Sequence, residues 1–463
     1  SDVCSSDLSD TMTVLEKIGH FLDMENQRLF SKYKSIGLPN NEITPLIEQN
    51  VDVADILRNS AEDFDVGYAI AGMFGHGDAF VLRDPNGIRP AYYYKDDEVV
   101  VVASERPAIQ TSFNVHRSKV QEIQPGHALI IHKDGSVGEV MCRKPLERKA
   151  CSFERIYFSR GSDFEIYQER KTLGKLLVPD IMKAVNDDIE NTVFSYIPNT
   201  AEVAFIGLTE EIQHRHFRHN LEAFQRGEIN STEELNKKIS IMPRVEKIAV
   251  KDVKMRTFIT EDSSRNDLVH HVYDVTYGLV KNNQDTLVVL DDSIVRGTTL
   301  KESILTMLDR LQPKRIIVVS SAPQIRYPDC YGIDMSKMGT FVAFQAAVNL
   351  WKKRNEYSFL EDLYKRCKIE LEKPVEEMIN LVKEVYQPFT AEEISIEIAA
   401  IVKPNHIFSD VQLIYQNIDN LHQACPKNLG DWYFTGNYPT PGGNRVALSA
   451  FINYMEGKSI RAY

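Results

Sequence analysis

Two adjacent carboxylates, Asp291 and Asp292, followed by Ser293, Arg296, Gly297, Thr298 and Thr299, are the densest chemistry-bearing group in the chain. A carboxylate pair can hold a sugar diol or a hydrated Mg²⁺. The pair follows a short apolar run, Leu287 to Leu290, whose texture suits a strand buried on both faces of a parallel sheet. That puts the carboxylates at the strand's carboxyl end, where open α/β sheets bind ligands. Beyond Thr299, residues Ile304, Leu305, Leu308 and Leu311 share one helical face, with Lys301, Glu302, Asp309 and Arg310 largely off it. A loop that opens a helix offers backbone N–H groups, hydroxyls and the helix dipole to a phosphate. The order Gly-x-x-x-x-Gly-Lys-Ser/Thr is absent, so this is not a Walker loop. The plainer alternative is an acidic turn in which Ser293 or Thr298 only caps the helix.

The stretch resembles the phosphoribosyl-pyrophosphate (PRPP) signature of type I phosphoribosyltransferases. The resemblance implies that Asp291 and Asp292 meet ribose hydroxyls and a hydrated Mg²⁺. It also implies that Ser293, Ile294, Val295, Arg296, Gly297, Thr298 and Thr299 wrap the 5′-phosphate.

The chain has 463 residues, enough for two large domains or a few smaller ones. Its 54 basic and 66 acidic residues leave a formal charge of -12, which disfavours nonspecific nucleic-acid or membrane binding. No apolar stretch reaches transmembrane length. Six cysteines in so long a chain fit a reducing, cytoplasmic compartment better than a disulfide scaffold. Ser1 to Leu8 lacks a Met, a basic segment and an apolar core. It looks like a translated sequencing-adapter tail, so the native sequence is expected to begin near Ser9, in a chain truncated at its amino terminus.

Asp10 precedes a helical pattern carrying Val14, Leu15, Ile18, Phe21 and Leu22, and its plain reading is an N-cap. From Val66 to Ile131 short strands and turns take over. Strands are expected at 68–74, 79–82, 99–102, 127–131 and 136–140, with a strong turn at Asp84-Pro85-Asn86-Gly87. This texture is α+β with antiparallel pairing.

Arg83-Asp84-Pro85-Asn86-Gly87-Ile88-Arg89-Pro90, Ala103-Ser104-Glu105 and Pro125-Gly126 are similar to the glutaminase domain of the amidophosphoribosyltransferase family. That family forms phosphoribosylamine from glutamine and PRPP at the start of purine synthesis. The resemblance implies an Ntn-type class II glutamine amidotransferase domain, a sandwich of antiparallel sheets between helices, over 9–150. A mostly parallel phosphoribosyltransferase domain is expected over 151–445. It also implies that Asp10, in Ser9-Asp10, binds the ammonium of glutamine. Cys4 lacks the family's Cys-Gly-Ile context, so the glutaminase half is expected to be inactive and at most ammonia-dependent transfer to be retained.

Cys151 to Asp163, then Glu169-Arg170 and Leu173-Gly174, resemble the family's entry into the transferase domain. Ile197-Pro198-Asn199-Thr200-Ala201 resembles its pyrophosphate loop, which implies diphosphate contact at Thr200; Asn199 stands where the family has an acid. The segment 208–246 is helical and highly charged. His214, His216 and His219 miss the His-Glu-x-x-His spacing and read as a solvated face. Such a segment could be an insert that packs against another subunit. Arg256, in Arg256-Thr257-Phe258-Ile259, resembles a catalytic or diphosphate-binding residue, and Glu261 to Asp274 resembles a loop that closes over PRPP. Arg315 to Ser320 is the next buried strand. The carboxyl third, Val375 to Tyr386 above all, reads as helical.

Some family members carry a [4Fe–4S] cluster on four cysteines. Here Cys151, Cys330 and Cys425 lie at or near such positions, but Tyr433 stands where a fourth thiolate is needed, so a cluster is not expected. The resemblance further implies purine nucleotides as feedback inhibitors and a homo-oligomer. Two rival readings are a PRPP-dependent base-salvage transferase and a noncatalytic PRPP- or nucleotide-sensing protein.

Overall fold

The computed structural model describes residues 10–251, 273–331 and 335–462, and of Asp10, Lys251 and Tyr273 the backbone alone. Arg256, the whole of 256–272 and Gly332 to Asp334 lie outside the described residues. The chain forms two compact units, Ser1–Ala150 and Cys151–Tyr463.

In the first unit three helices, α1 (Asp10–Ser35), α2 (Asn40–Asn50) and α3 (Val53–Ser60), precede the strands. One antiparallel sheet has the order β1-β2-β6-β7, from β1 (Ala69–Met73), β2 (Ala79–Arg83), β6 (His127–Ile131) and β7 (Val137–Met141). A second has the order β4-β3-β5, from β3 (Tyr92–Lys95), β4 (Val100–Ala103) and β5 (Gln121–Glu122). Alternation along β2 sets the layers. Phe80 and Leu82 join Ile18, Ile56 and Leu57 of the helices, while Val81 joins Ile123 and Leu129 in a second core. Tyr94 turns to a third cluster with Ile109 of α4 (Arg106–Phe113). Helices therefore cover the outer faces of two antiparallel sheets.

The second unit is built on one parallel sheet, β14-β13-β12-β8-β9. Its strands are β8 (Thr192–Tyr196), β9 (Arg244–Val245), β12 (Thr286–Asp291), β13 (Arg315–Ser320) and β14 (Asp410–Tyr415). A small antiparallel pair, β10 (Ala249–Lys251) and β11 (Tyr273–Val275), lies apart from it in pairing. Leu287, Val288, Val289 and Leu290 are all at most 1% exposed; burying each such side chain is worth roughly 1.5–3 kcal/mol. One face of the sheet packs on α6 (Val178–Ala184) and α7 (Glu202–Gln225), and α5 (Phe164–Leu176) packs on α7.

One expectation is narrowed here and one corrected. The charged segment from 208 begins inside α7, whose Ala204, Phe205, Leu208 and Ile212 belong to the sheet's core, so its first turns are part of the sheet's own packing. A Cβ on Gly174 of α5 would lie 1.8 Å from the Ala204 carbonyl oxygen, and one on Gly207 would lie 2.0 Å from that of Lys171. Only glycine permits helices so close. The outward face carries His214 and His219, with α8 (Thr232–Ile239) beyond it. Second, Val375 to Tyr386 is not a continuous helix but two short 3-10 turns, Val375–Glu377 and Leu381–Val385. Asn380 separates them: its side chain accepts from Val382 N–H and donates to the Gly436 carbonyl, which diverts the backbone from helical pairing.

Candidate functional site

The acidic pair stands at the carboxyl end of β12. Ser321 N–H donates to the Asp291 carbonyl at 3.0 Å and Ala322 N–H to the Asp292 carbonyl at 3.0 Å, which fixes the pair against the end of β13. Ile197 N–H donates to the Leu290 carbonyl at 2.8 Å. The loop after β8 is thereby held beside the loop after β12, and the Thr200 hydroxyl reaches the Asp292 carboxylate. Asp292 Oδ1 also accepts from the Ser293 hydroxyl at 2.9 Å, and Asp291 Oδ1 from the Asp292 N–H at 2.9 Å.

The loop itself is anchored at one side chain. Ile294 is buried, so only its backbone can meet a ligand, and the Val295 carbonyl accepts from Val342 N–H at 2.9 Å. Gly297 has φ +71, and a Cβ there would come within 2.8 Å of Val402. Any other residue would be strained and crowded at this turn. Arg296, Thr298 and Thr299 are exposed, and the helix opens at Thr298, running through Leu300–Ile304 into α9 (Leu305–Asp309). Ile304, Leu305, Leu308 and Leu311 are buried as their spacing requires. Ser293, turned to Asp292, does not cap this helix.

Electrostatically the pair is under-compensated. Burial and the neighbouring Asp292 push Asp291 well above the ordinary carboxylate range, with only the Asp292 N–H opposing them. Burial raises Asp292 too, against the hydroxyls of Ser293 and Thr200 and the charge of Arg170. Two carboxylates so placed attract a cation. They offer hard oxygen donors, and among the described residues no group of three or more His, Cys, Asp and Glu gathers to make a closed cage. That suits Mg²⁺, which usually keeps water and takes one or two carboxylates plus substrate phosphates.

Three residues of this site were not singled out as site residues in the sequence. Tyr157 feels both aspartates, which together with burial raise its phenol. Arg170 lies on the buried face of α5 with Ile166, Leu173 and Gly174; a cation at a position whose spacing demands an apolar residue is the signal that could have found it. Tyr415 shares a sheet row with Ser320 and Asp291, and burial and Asp291 raise its phenol. Of the other expected residues, Arg256 and the Asp10 side chain lie outside what is described.

The cysteine positions come together only in part. Asn428 donates from its backbone to the Cys425 carbonyl at 3.0 Å and from its side chain to the Cys151 carbonyl at 2.9 Å. Tyr433 is fully buried, its ring 5.2 Å from that of Phe153. Burial pushes the Cys425 thiol up, away from a thiolate.

No protein-family model matches the chain. It is 29% identical over 304 residues to the amidophosphoribosyltransferase of Pasteurella multocida, covering 63% of this chain and 53% of that protein. To that of Lachancea kluyveri it is 28% identical over 337 residues, covering 69% and 59%. The chain is similar to amidophosphoribosyltransferases. It spans little more than half the length of these curated relatives. Among solved structures, the glutamine PRPP amidotransferase of Bacillus subtilis complexed with ADP and GMP superposes with a TM-score of 0.53 at 24% identity. That match covers 89% of this chain and 74% of the other. The fold is thus the pairing of an antiparallel amidotransferase-type unit with a mostly parallel phosphoribosyltransferase-type unit. Among the described residues no helix is long and apolar enough to cross a membrane.

Proposed function

We propose that the second unit binds PRPP and transfers its phosphoribosyl group to ammonia, forming 5-phosphoribosylamine as in amidophosphoribosyltransferases. The observation that carries the reading is the acidic pair Asp291–Asp292 at a strand end, beside Thr200 and ahead of a helix-opening loop. Asp291 and Asp292 hold the ribose hydroxyls and a hydrated Mg²⁺. Residues 293–299 receive the 5′-phosphate on backbone N–H groups and on the Ser293, Thr298 and Thr299 hydroxyls, and Thr200 and Arg256 meet the diphosphate. Bound Mg²⁺ supplies positive charge to the departing pyrophosphate. In the reaction the ammonia lone pair forms the N–C1 bond, the bond from C1 to pyrophosphate oxygen breaks, and the nitrogen loses a proton. The protein's share is positioning and water exclusion around a C1 that turns cationic.

The finer reading concerns the amine donor. Glutamine supplies the ammonia in the family, with Asp10 on its ammonium, but Cys4 lacks the Cys-Gly-Ile context of a glutaminase nucleophile. This polypeptide is therefore proposed to use added ammonia only. No iron–sulfur cluster enters the reading, because the Tyr433 phenol cannot replace a thiolate. Purine nucleotides are proposed as inhibitors, supported by a relative complexed with ADP and GMP, and a homo-oligomer is proposed as the working state from the family resemblance alone. The setting is proposed to be cytoplasmic, with no nucleic acid or membrane as partner. Base salvage and pure PRPP sensing are the rivals, and the amidotransferase-type fold of the first unit favours neither.

Calorimetry tests the core of it. PRPP with Mg²⁺ should bind the full chain, and the folded variant carrying Asp291→Asn and Asp292→Asn should lose at least tenfold in affinity, about 1.4 kcal/mol. Unchanged affinity in that variant would remove the acidic pair from the site.

A further inference from the structure

A cavity of about 610 Å³ lies in the second unit, lined by no residue of 291–299 but by Tyr415, whose phenol feels Asp291. Its walls come from β14 and the turn after it, from Pro323 to Arg326 beyond β13, from α6, and from the start of α12 (Ala391–Val402). The volume falls in the range of small-molecule sites. Its floor is largely apolar, with Leu413, Phe389 and Phe434. The polar groups of the floor are nearly all spoken for. Gln324 donates to the Ala391 carbonyl and to Ser395 Oγ, both at 2.8 Å. Gln416 donates to the Leu173 carbonyl at 2.9 Å and accepts from Asn420. The start of α12 is closed by a capping box of Thr390 and Glu393.

The Tyr415 hydroxyl has no partner among the described residues, and Arg326 is only partly answered. Its guanidinium donates from Nε and one terminal nitrogen to the neutral Gln324 Oε1, at 3.2 and 2.7 Å, and lies over the Tyr386 ring at 5.3 Å. Among the described residues no carboxylate comes within 4 Å of it, so its charge is met only by an amide oxygen and an aromatic face. Burial pulls its pKa below the ordinary arginine value. The cavity's own acids, Asp180 and Glu392, are exposed at the rim, as is Lys183. A partly buried cation with no anion beside it is a ready partner for one.

We propose that this cavity is a ligand site for a small organic anion, its oxyanion held by Arg326 and its apolar body lying on Phe389, Phe434 and Leu413. A guanidinium presents a planar fork suited to carboxylate or phosphate oxygens. The apolar floor excludes a fully hydrated ion and selects a ligand with a hydrocarbon or aromatic part. The cavity takes no residue of 291–299 and meets the acidic pair's surroundings only through Tyr415, so its ligand can be tested apart from PRPP.

The test is calorimetry on the full chain with benzoate and with inorganic phosphate as separate probes. Benzoate should bind saturably with a Kd in the millimolar range or tighter, and phosphate more weakly, since it has nothing to set on the apolar floor. Two variants, Arg326→Gln and Ala391→Trp, should each weaken benzoate at least tenfold. The second blocks the mouth from an exposed position and leaves the stacked guanidinium in place, so it serves if the first fails to fold. Tighter binding of phosphate than of benzoate would overturn the organic-anion assignment. Absence of saturable benzoate binding to the folded chain, or benzoate binding unchanged in Ala391→Trp, would overturn the site itself.

Discussion

Each unit keeps an acid at the end of a strand, and the two acids live in opposite surroundings. In the first unit Asp84, wholly buried, follows β2 and accepts from the backbone N–H groups of Asn86, Ile88 and Arg89 at 3.0, 3.0 and 3.3 Å. Arg83 beside it, 1% exposed, donates to the Arg89 carbonyl and to Glu122, both at 2.8 Å. Burial raises the Asp84 pKa, but three backbone donors and a guanidinium oppose it. In the second unit Asp291 has one backbone donor and a like charge next door. A satisfied acid ties a turn together, whereas an acid left in excess of its donors holds interaction energy in reserve for a ligand.

The largest expected effect breaks the first half of this contrast. Asp84→Ala leaves the buried N–H groups of Asn86 and Ile88 and the partly buried one of Arg89 without this acceptor, and each buried loss costs about 1–3 kcal/mol. Urea unfolding of the full chain should show the first unit destabilised by at least about 3 kcal/mol. The paired change Asp291→Asn with Asp292→Asn should leave the second unit's stability unchanged or raised by up to about 1 kcal/mol, because a repulsion is removed. A large loss in the double variant would mean that the pair is structural after all.

The contrast also marks what was legible in the sequence. β12 and β13 were readable because strands buried on both faces must be apolar throughout, and their residues are. The turn at Asp84 was readable from its residue types, yet nothing in them showed that Arg83 and Asp84 would be buried. The edge strand β14 was missed: Asp410-Val411-Gln412-Leu413-Ile414-Tyr415 buries only Leu413 fully, and its residues resemble a half-wet surface. Thr200 was expected to reach diphosphate; that it also lies beside Asp292 depends on two loops far apart in sequence meeting at the ends of β8 and β12, which local pattern cannot report. The polar stretch of α7 misled for a related reason, since its charged outer face hid the glycine contact with α5.

A smaller effect sharpens the first-unit network by pH. Burial pushes Glu122 up, but Arg83 and Arg148 overcome it and hold its carboxyl below the ordinary range. A depressed carboxyl stabilises the fold fully above its unfolded pKa, about 4.3, and loses that contribution as pH falls through the lower folded value. Glu122→Gln should therefore cost roughly 1–2 kcal/mol at neutral pH. The gap to the parent chain should shrink as the acid limb is entered below about pH 4. Urea titrations at stepped pH measure it, and a gap that stays constant down to acid pH would detach Glu122 from the two arginines.

The smallest effect belongs to Tyr415, whose hydroxyl is the neutral analogue of the under-compensated pair. Tyr415 shares the sheet row of Asp291, and its hydroxyl is buried with no hydrogen-bond partner among the described residues. Removing an unpaired buried hydroxyl forfeits no bond and spares its desolvation, so Tyr415→Phe should leave stability unchanged or raise it by less than about 1 kcal/mol. Were the hydroxyl instead bonded to Asp291, the same change would remove a bond to a charged group, worth about 1.5–3 kcal/mol. Urea unfolding separates the two cases by sign. A loss above about 1 kcal/mol would place Asp291 nearer to Asp84, among acids already answered by their own fold, and would weaken the argument that its unmet charge is kept for a ligand.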